Sequence, residues 1–401
     1  MNTSTSTPVV IVGANIAGLS FATSLRAGGY QGPITFVTEE TEAPYDRPPL
    51  SKGFLKDGDA DKIRLDTSKL ADVTWLKGVR ATAIDPAQRT LQLSQGDALP
   101  WGTLVLATGA RPRTLPPLDG LERPVFTLRE MNDARALREH LQPGKHLLLV
   151  GAGVIGLELA ATAAQLGMQV TVLESQERVM ARGASERLSH HIEERHRQAG
   201  VDLQLGRRIA GVHPGEVHLD DGRTLEVDVA VVGIGVQPNV ELAQDCGITC
   251  RDGILVDGHG RTSLPGVLAV GDVTCQRHPI SGEMQRIETW SNAQNQAAAA
   301  ARFWLDPATP AYEDNPWYWS DQYELRIQSA GLPAGKQEVL RGDPASGKFT
   351  LLQLDGNRLV GASCVSNPKD FGILRKLVGS TLSATPLQLA DPAVDLRKCV
   401  A

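Results

Sequence analysis

Two stretches of this 401-residue chain set glycines where an anion can be held. The run HLLLVGAGVIGLEL, residues 146–159, carries Gly151, Gly153 and Gly156 in the order G-x-G-x-x-G, directly after an apolar segment. The next apolar segment, QVTVLE, ends on Glu174. The run VVIVGANIAGLS, residues 9–20, repeats the pattern with Gly13 and Gly18. Asn15 stands there in place of the second glycine, and the following segment, PITFVTEE, ends on Glu39 and Glu40. A strand that turns on glycine into a helix aims free backbone N–H groups, and the positive end of the helix dipole, at one point. An acid closing the second strand accepts hydrogen bonds from ribose hydroxyls. The chemistry expected is the gripping of a dinucleotide pyrophosphate, twice in one chain.

Elements in a repeated order must position these residues. After Gly13 come a helix over 16–28, the strand ending at Glu39, a strand VTWLKG, a meander over 79–99 and a strand LVLATGARP. After Gly151 come a helix over 154–167, the strand ending at Glu174, a strand VDLQLG, a meander over 208–226 and a strand DVAVVGIGVQP. Each copy reads as a βαβ unit, a further parallel strand, a three-stranded meander and a strand that returns to the sheet. A lone glycine motif in a chain with 40 glycines says little. The same motif after a buried strand, before a helix and with an acid at the next strand end says much more. A further strand, GVLAVGDV, ends on Gly271 and Asp272, and a helix over 291–305 follows. The Pro-rich run 305–317 reads as a linker, and short alternating strands from about 319 precede a helical stretch at 369–379.

The expected fold class is α/β: two Rossmann-like dinucleotide-binding domains and a small α+β C-terminal domain. The expected boundaries are 1–112 with 240–318, 113–239, and 319–401.

Composition narrows the function classes. A net charge of −6 argues against general nucleic-acid binding, which needs a basic face. The start, MNTSTSTP, lacks the apolar core of a signal peptide and reads as a frayed tail. The apolar stretch 147–173 contains Glu158 and a strand-to-helix switch, so a buried α/β unit explains it better than a membrane span. The five cysteines, 246, 250, 275, 364 and 399, form no C-x-x-C and no cluster pattern. A reduced, cytoplasmic setting with no metal site and no iron–sulfur cluster in this chain is expected. His190, His191 and His196 share a predicted helix, but 191 and 196 do not face one way.

Two dinucleotides in one chain suggest one resident flavin and one exchanging nicotinamide. The first copy is interrupted by the second and completed by Asp272, so it is expected to hold FAD, with Asp272 accepting from the ribityl chain. The second is expected to hold NADH, because the Glu174 carboxylate would repel the 2′-phosphate of NADPH.

Beyond these glycine turns, ATG at 107–109, GD at 271–272, APYDRPPLSKGFL at 43–55, RIETWSNAQNQ at 286–296 and PWYWSDQYELRIQ at 316–328 carry a resemblance. The chain resembles, over nearly its whole length, the FAD-containing ferredoxin–NADH reductases of bacterial aromatic-ring-hydroxylating dioxygenase systems. The resemblance implies NADH oxidation by hydride transfer to FAD. Single electrons then pass to a [2Fe–2S] ferredoxin, expected to be Rieske-type, that feeds a separate oxygenase. It implies FAD contacts from Gly13, Asn15, Ala17, Gly18 and Glu39, and from Ala107, Thr108, Gly109 and Arg129. Further FAD contacts are Arg47, Lys52, Gly271, Asp272, Thr289, Trp290 and Trp319. NADH is assigned to Gly151, Gly153, Val154, Ile155, Gly156, Glu158, Glu174, Gly233, Ile234 and Gly235. Lys52, Glu158 and Trp319 are the expected catalytic residues: Glu158 faces the nicotinamide carboxamide and pairs with Lys52, and Trp319 covers the flavin edge.

Disulfide reductases of this fold need a cysteine beside the flavin, and 41–58 has none. That disfavours an NADH oxidase or peroxidase. Reductases serving rubredoxin or a cytochrome P450 ferredoxin remain open, as does a non-enzymatic NADH-sensing flavoprotein. A monomer or homodimer is expected. Arg326, Arg341, Lys348 and Arg358 are candidates to steer an acidic partner.

Overall fold

The computed structural model describes residues 7–401; of the polar start read as a frayed tail, residues 1–6 lie outside the described residues. The chain divides into two compact units. The first is 1–46, 61–111 and 237–316; the second is 47–60, 112–236 and 317–401.

The first unit is built on a parallel sheet in the order Val267–Ala269, Thr103–Leu106, Val9–Val12, Ile34–Thr38, Thr74–Lys77. Val9–Val12 and Thr103–Leu106 are buried at every position, which is why they read as unbroken apolar runs. Helix Ile16–Ala27 packs Phe21, Ala22 and Leu25 into one core with Phe36, Val105 and the alanine face of helix Trp290–Leu305. Strands Ala81–Asp85, Thr90–Leu93 and Leu99–Pro100 form the meander. No strand or helix occupies 306–316.

The second unit holds a second parallel sheet, in the order Asp202–Leu205, Gln169–Glu174, His146–Val150, Val229–Val232, Val125–Phe126. Its meander, Ile209–His213, Glu216–Leu219 and Thr224–Glu226, closes a core with Leu148, Leu173 and Val232. Helix Glu186–Gln198 carries His190, His191 and His196. The same unit contains an antiparallel sheet in the order Trp317–Gln322, Leu325–Gly331, Arg358–Val365, Lys348–Asp355, Gln337–Asp343, and helix Pro368–Leu377. Among the described residues no helix is long and apolar enough to cross a membrane.

One steering candidate is corrected by this packing. Arg341 is 5 % exposed, and its guanidinium donates to Asp370 at 2.9 Å and to the carbonyls of Leu389, Pro392 and Val394. A buried arginine with its fork filled organises the C-terminal segment and cannot meet a partner.

Candidate functional site

The two glycine turns are close copies in atomic terms. The Gly13 N–H donates to Val37 O at 2.9 Å, and the Gly151 N–H donates to Leu173 O at 2.8 Å. Both glycines have positive φ, +106° and +107°. A Cβ on Gly13 would lie 2.2 Å from Ala107 O, and one on Gly151 would lie 2.4 Å from Gly233 O. A Cβ on Gly18 would meet Gly13 O, and one on Gly156 would meet Gly151 O, at 2.2 and 2.3 Å. These glycines let the helix start sit on the strand end, so the fold itself demands them.

Gly153 is different. Its backbone is extended, with φ −78°, and a Cβ there would meet nothing within 4 Å. Neither conformation nor protein packing requires glycine at this position, so the space it leaves open suits a ligand. Gly153 caps helix Val154–Gln165 without a side-chain hydrogen bond, leaving the first N–H groups for an anion. Ile155 and Ile234 are among the few large apolar side chains left exposed among the described residues, at 45 % and 36 %. Glu174 closes its strand with one carboxylate oxygen on the Ala152 N–H at 2.8 Å and the other on the Gln176 N–H at 2.9 Å. Gly233 lies where its strand ends, and Gly235 has φ +100°. These residues fit a dinucleotide.

In the first unit the structure gathers Gly13, Ala17, Gly18, Ala107, Thr108 and Gly271. A Cβ on Gly271 would come within 2.8 Å of the Ala17 Cβ. Asp272 follows in the short turn Gly271–Val273, whose Gly271 N–H donates to Gln296 Oε1 at 2.7 Å. Thr108 and Asn239 exchange two hydrogen bonds of 2.8 Å, and Gly109 takes φ +63°. Thr289 caps helix Trp290–Leu305 by accepting from Asn292 N, and Trp290 Nε1 donates to Asp46 at 2.8 Å.

The Asn15 amide is bonded at both atoms within the protein: Oδ1 accepts from Ile16 N at 2.8 Å and Nδ2 donates to Tyr45 O at 3.1 Å. Glu39 is turned to solvent and paired with Arg80 at 3.1 Å. Strand register makes Thr38, beside Val37, the counterpart of Glu174. Thr38 and Glu40 line one pocket with Asn15 and Tyr45, and Glu40 accepts the Tyr45 hydroxyl. Sequence reasoning placed Glu40 at the strand end beside Glu39 but chose Glu39 for the site, and it passed over Thr38, because a strand end read from hydrophobicity has no sharp register.

The second unit builds a buried charged cluster. Lys52 stands between the turn Pro48–Ser51 and the short helix Gly53–Asp57, and Glu158 lies in the second turn of helix Val154–Gln165. Lys52 Nζ donates to Glu158 Oε1 at 2.8 Å. Ser51 Oγ donates to Oε2 at 2.5 Å, and Ser320 Oγ donates to Oε1 at 2.8 Å. The Thr162 hydroxyl ties down the Ser51 carbonyl at 2.9 Å. Glu158 is 3 % exposed. Burial pushes its carboxyl above the ordinary carboxylate range, and the pull of Lys52 and the hydroxyls does not cancel this.

Sequence reasoning paired Lys52 with Glu158 but missed Ser51 and Ser320, since lone serines carry no pattern. Arg47 donates to the Arg129 carbonyl at 3.1 Å, bringing those two residues together. Trp319 lies on the strand face opposite Ser320, with its ring 5.8 Å from that of Trp317.

Comparison with known proteins agrees with this geometry. The pyridine nucleotide-disulphide oxidoreductase family matches residues 7–297, and a reductase C-terminal family matches 317–400. The chain is 38 % identical over 398 residues to the p-cumate 2,3-dioxygenase system ferredoxin–NAD(+) reductase component of Pseudomonas putida, covering 98 % of each chain. It is 40 % identical to the anthranilate 1,2-dioxygenase system ferredoxin–NAD(+) reductase component of Burkholderia cepacia, covering 97 % of this chain and 98 % of that one. Among solved structures, the covalent putidaredoxin reductase–putidaredoxin complex matches with a TM-score of 0.92 at 35 % identity, over 98 % of this chain and 97 % of that one. The chain belongs to the pyridine nucleotide-disulphide oxidoreductase family.

Proposed function

We propose that this chain is a ferredoxin–NAD(+) reductase that oxidises NADH on bound FAD and hands electrons singly to a [2Fe–2S] ferredoxin of an aromatic-ring dioxygenase system. The carrying observation is the buried Lys52–Glu158 pair on the helix that starts at the open Gly153 turn, in a chain with no cysteine between residues 41 and 58. When bound, FAD supplies the change from a two-electron donor to a one-electron acceptor.

The residues of the chain bind and orient. The helix start at Ile16, with Gly13, Gly18, Thr38 and Glu40, is assigned to FAD, together with Asp272, Thr289 and Trp290. The helix start at Val154 takes the NADH pyrophosphate, and Glu174 takes its ribose. Glu158 accepts the nicotinamide carboxamide N–H and so sets which face of the ring is offered. Lys52 neutralises that carboxylate and keeps it from repelling negative charge that develops nearby. A thiol relay is not needed, which matches an acceptor that is another protein.

A Rieske-type ferredoxin is the proposed acceptor, in line with the dioxygenase-system relatives at 38 % and 40 % identity. A P450-type [2Fe–2S] ferredoxin is the second reading, favoured by the likeness to putidaredoxin reductase. The test is NADH-dependent cytochrome c reduction with no ferredoxin, a Rieske-type ferredoxin, or a P450-type one. Strong stimulation by the Rieske-type protein supports the reading. Fast NADH oxidation by oxygen alone, unchanged by either ferredoxin, would sink it.

A further inference from the structure

Behind Glu158 the hydrogen bonds continue. Ser320 Oγ, which donates to Glu158 Oε1, receives Gln322 Nε2 at 3.0 Å. Gln322 Oε1 lies 2.9 Å from His196 Nε2, and the Tyr323 hydroxyl lies 3.1 Å from His196 Nδ1. Ser320, Gln322 and His196 are each at most 1 % exposed. Two positions apart on the strand Trp317–Gln322, Ser320 and Gln322 share one face, and His196 reaches them from helix Glu186–Gln198.

Chemistry gives this string one direction. A carboxylate only accepts, so Ser320 must donate to Glu158. The Ser320 oxygen is then open to the Gln322 amide N–H, and the Gln322 carbonyl is left facing His196. That carbonyl requires His196 to carry its proton on Nε2, and the neutral ring then accepts at Nδ1 from Tyr323. The tautomer is assigned from these bonds. Burial supports it by holding the His196 imidazole neutral, pushed down to about 4.

The outer end is held at a cost. Tyr323 takes φ 55°, in the left-handed region that a bulky side chain avoids. In return its hydroxyl meets His196, and its ring receives the Arg195 guanidinium at 4.0 Å. Arg195 in turn grips Glu324 with bonds of 2.6 and 2.8 Å.

We propose that Ser320, Gln322, His196 and Tyr323 are positioning residues: a one-way string of donors that favours the charged form of the Glu158 carboxylate against its burial and holds it turned toward Lys52. This rests on the reading of Glu158 as a nicotinamide-side group. Lys52 is the charged group facing Glu158 from the Pro48–Asp57 segment. From the strand come Ser320 and Gln322, both neutral; from helix Glu186–Gln198 comes neutral His196, while Arg195 is engaged with Glu324. On the strands beneath helix Val154–Gln165, His146 is bonded to Thr171, and Glu174 to the Ala152 N–H.

The test uses the FAD-loaded full chain and Ser320→Ala, Gln322→Leu and Tyr323→Phe. The protonated-carboxyl stretch of Glu158 is followed by infrared difference spectroscopy against pH, with Glu158→Gln identifying the band. Anaerobic flavin bleaching by NADH is followed over the same range. In Ser320→Ala the Glu158 titration moves up by about one pH unit, as loss of one charge-assisted hydrogen bond implies. Gln322→Leu moves it less and Tyr323→Phe least, and the acid limb of the bleaching rate follows each shift. A wild-type titration in Ser320→Ala overturns the proposal. If that variant does not fold, Tyr323→Phe, which keeps the ring, decides: a shift supports the string and none overturns it. The infrared readout does not depend on any ferredoxin, so its failure and the failure of the reductase reading are separate results.

Discussion

Lys52 Nζ lies 2.8 Å from Glu158 Oε1, although the two residues are 106 positions apart in the chain. The contact joins a Pro-rich turn to a helix whose start is a dinucleotide turn. Lys52 keeps part of its side chain at the surface, 19 % exposed, while that of Glu158 is 4 % exposed. The pair is therefore asymmetric: the ammonium can be hydrated and the carboxylate cannot. Such a pair contributes less to stability than to placing a charge where water is excluded.

Lys52→Met tests that asymmetry. Glu158 would keep its serine donors but lose its counter-ion, and its raised carboxyl would rise further. A folded carboxyl that titrates above its unfolded value holds a proton the unfolded chain has already released. Stability then falls as pH rises from the unfolded value toward the folded one. Melting temperatures of the variant should drop increasingly below wild type as pH rises above the ordinary carboxyl value of about 4.3. Flavin bleaching by NADH should slow by about 100-fold. A difference in melting temperature that is flat with pH would show that Glu158 is not sensing Lys52.

Gly153→Ala separates binding from folding. A methyl there touches no protein atom within 4 Å and needs no unusual backbone angle. The variant should melt within about 0.5 kcal/mol of wild type and keep its flavin absorbance. Titration with NAD(+) or NADH should show affinity lowered by about tenfold or more, because the methyl enters the ligand's space. Gly151→Ala makes the contrast: its Cβ would be 2.4 Å from Gly233 O at a φ of +107°, so it should lose stability as well. NADH binding unchanged in Gly153→Ala would remove the second site from this turn.

Glu174→Ala addresses coenzyme choice. The carboxylate is fixed by the Ala152 and Gln176 N–H groups, so its charge stands at the strand end in a single place. Removing it should raise the NADH KM by about 10- to 100-fold and narrow the gap to NADPH, since the repulsion of a 2′-phosphate goes with it. The check is the ratio of kcat/KM for the two coenzymes. A ratio equal to wild type would reassign the ribose contact.

What was legible in the sequence follows physical lines. The parallel sheets were legible because strands such as Val9–Val12 and His146–Val150 are buried on both faces and read as apolar runs. Gly13, Gly18, Gly151 and Gly156 were legible because the fold forces glycine there. Ser51, Ser320 and Gln322 were not, because their role depends on meeting Glu158 across distant segments and no local period marks them. Arg341 was misread for the same reason: in sequence a buried arginine and a surface one look alike, and only Asp370 and the carbonyls around it distinguish them. Asn15 first read as a departure from a motif; its bonds to Ile16 and Tyr45 make it a tie between the turn and the loop beyond.

His196 supplies a pH test of the packing behind the site. Its imidazole is 0 % exposed and pushed down to about 4 by burial, against an ordinary value near 6.5. A depressed histidine means that the unfolded chain binds a proton the folded one refuses. The stability it permits is therefore complete above about pH 6.5 and is lost as pH falls toward about 4, by up to roughly 3 kcal/mol. His196→Gln removes the titration while leaving an amide to face Gln322. Urea unfolding of both proteins from about pH 4.5 to about pH 7.5 should give curves that converge toward the acid end, because the wild type loses stability there faster than the variant. Parallel curves would mean that His196 takes up its proton equally in the folded and unfolded chains, so that the folded ring is doubly protonated below about pH 6.5. The string read from Tyr323 through His196 would then break at its outer end over the acid part of that range, since a doubly protonated ring cannot accept the Tyr323 hydroxyl.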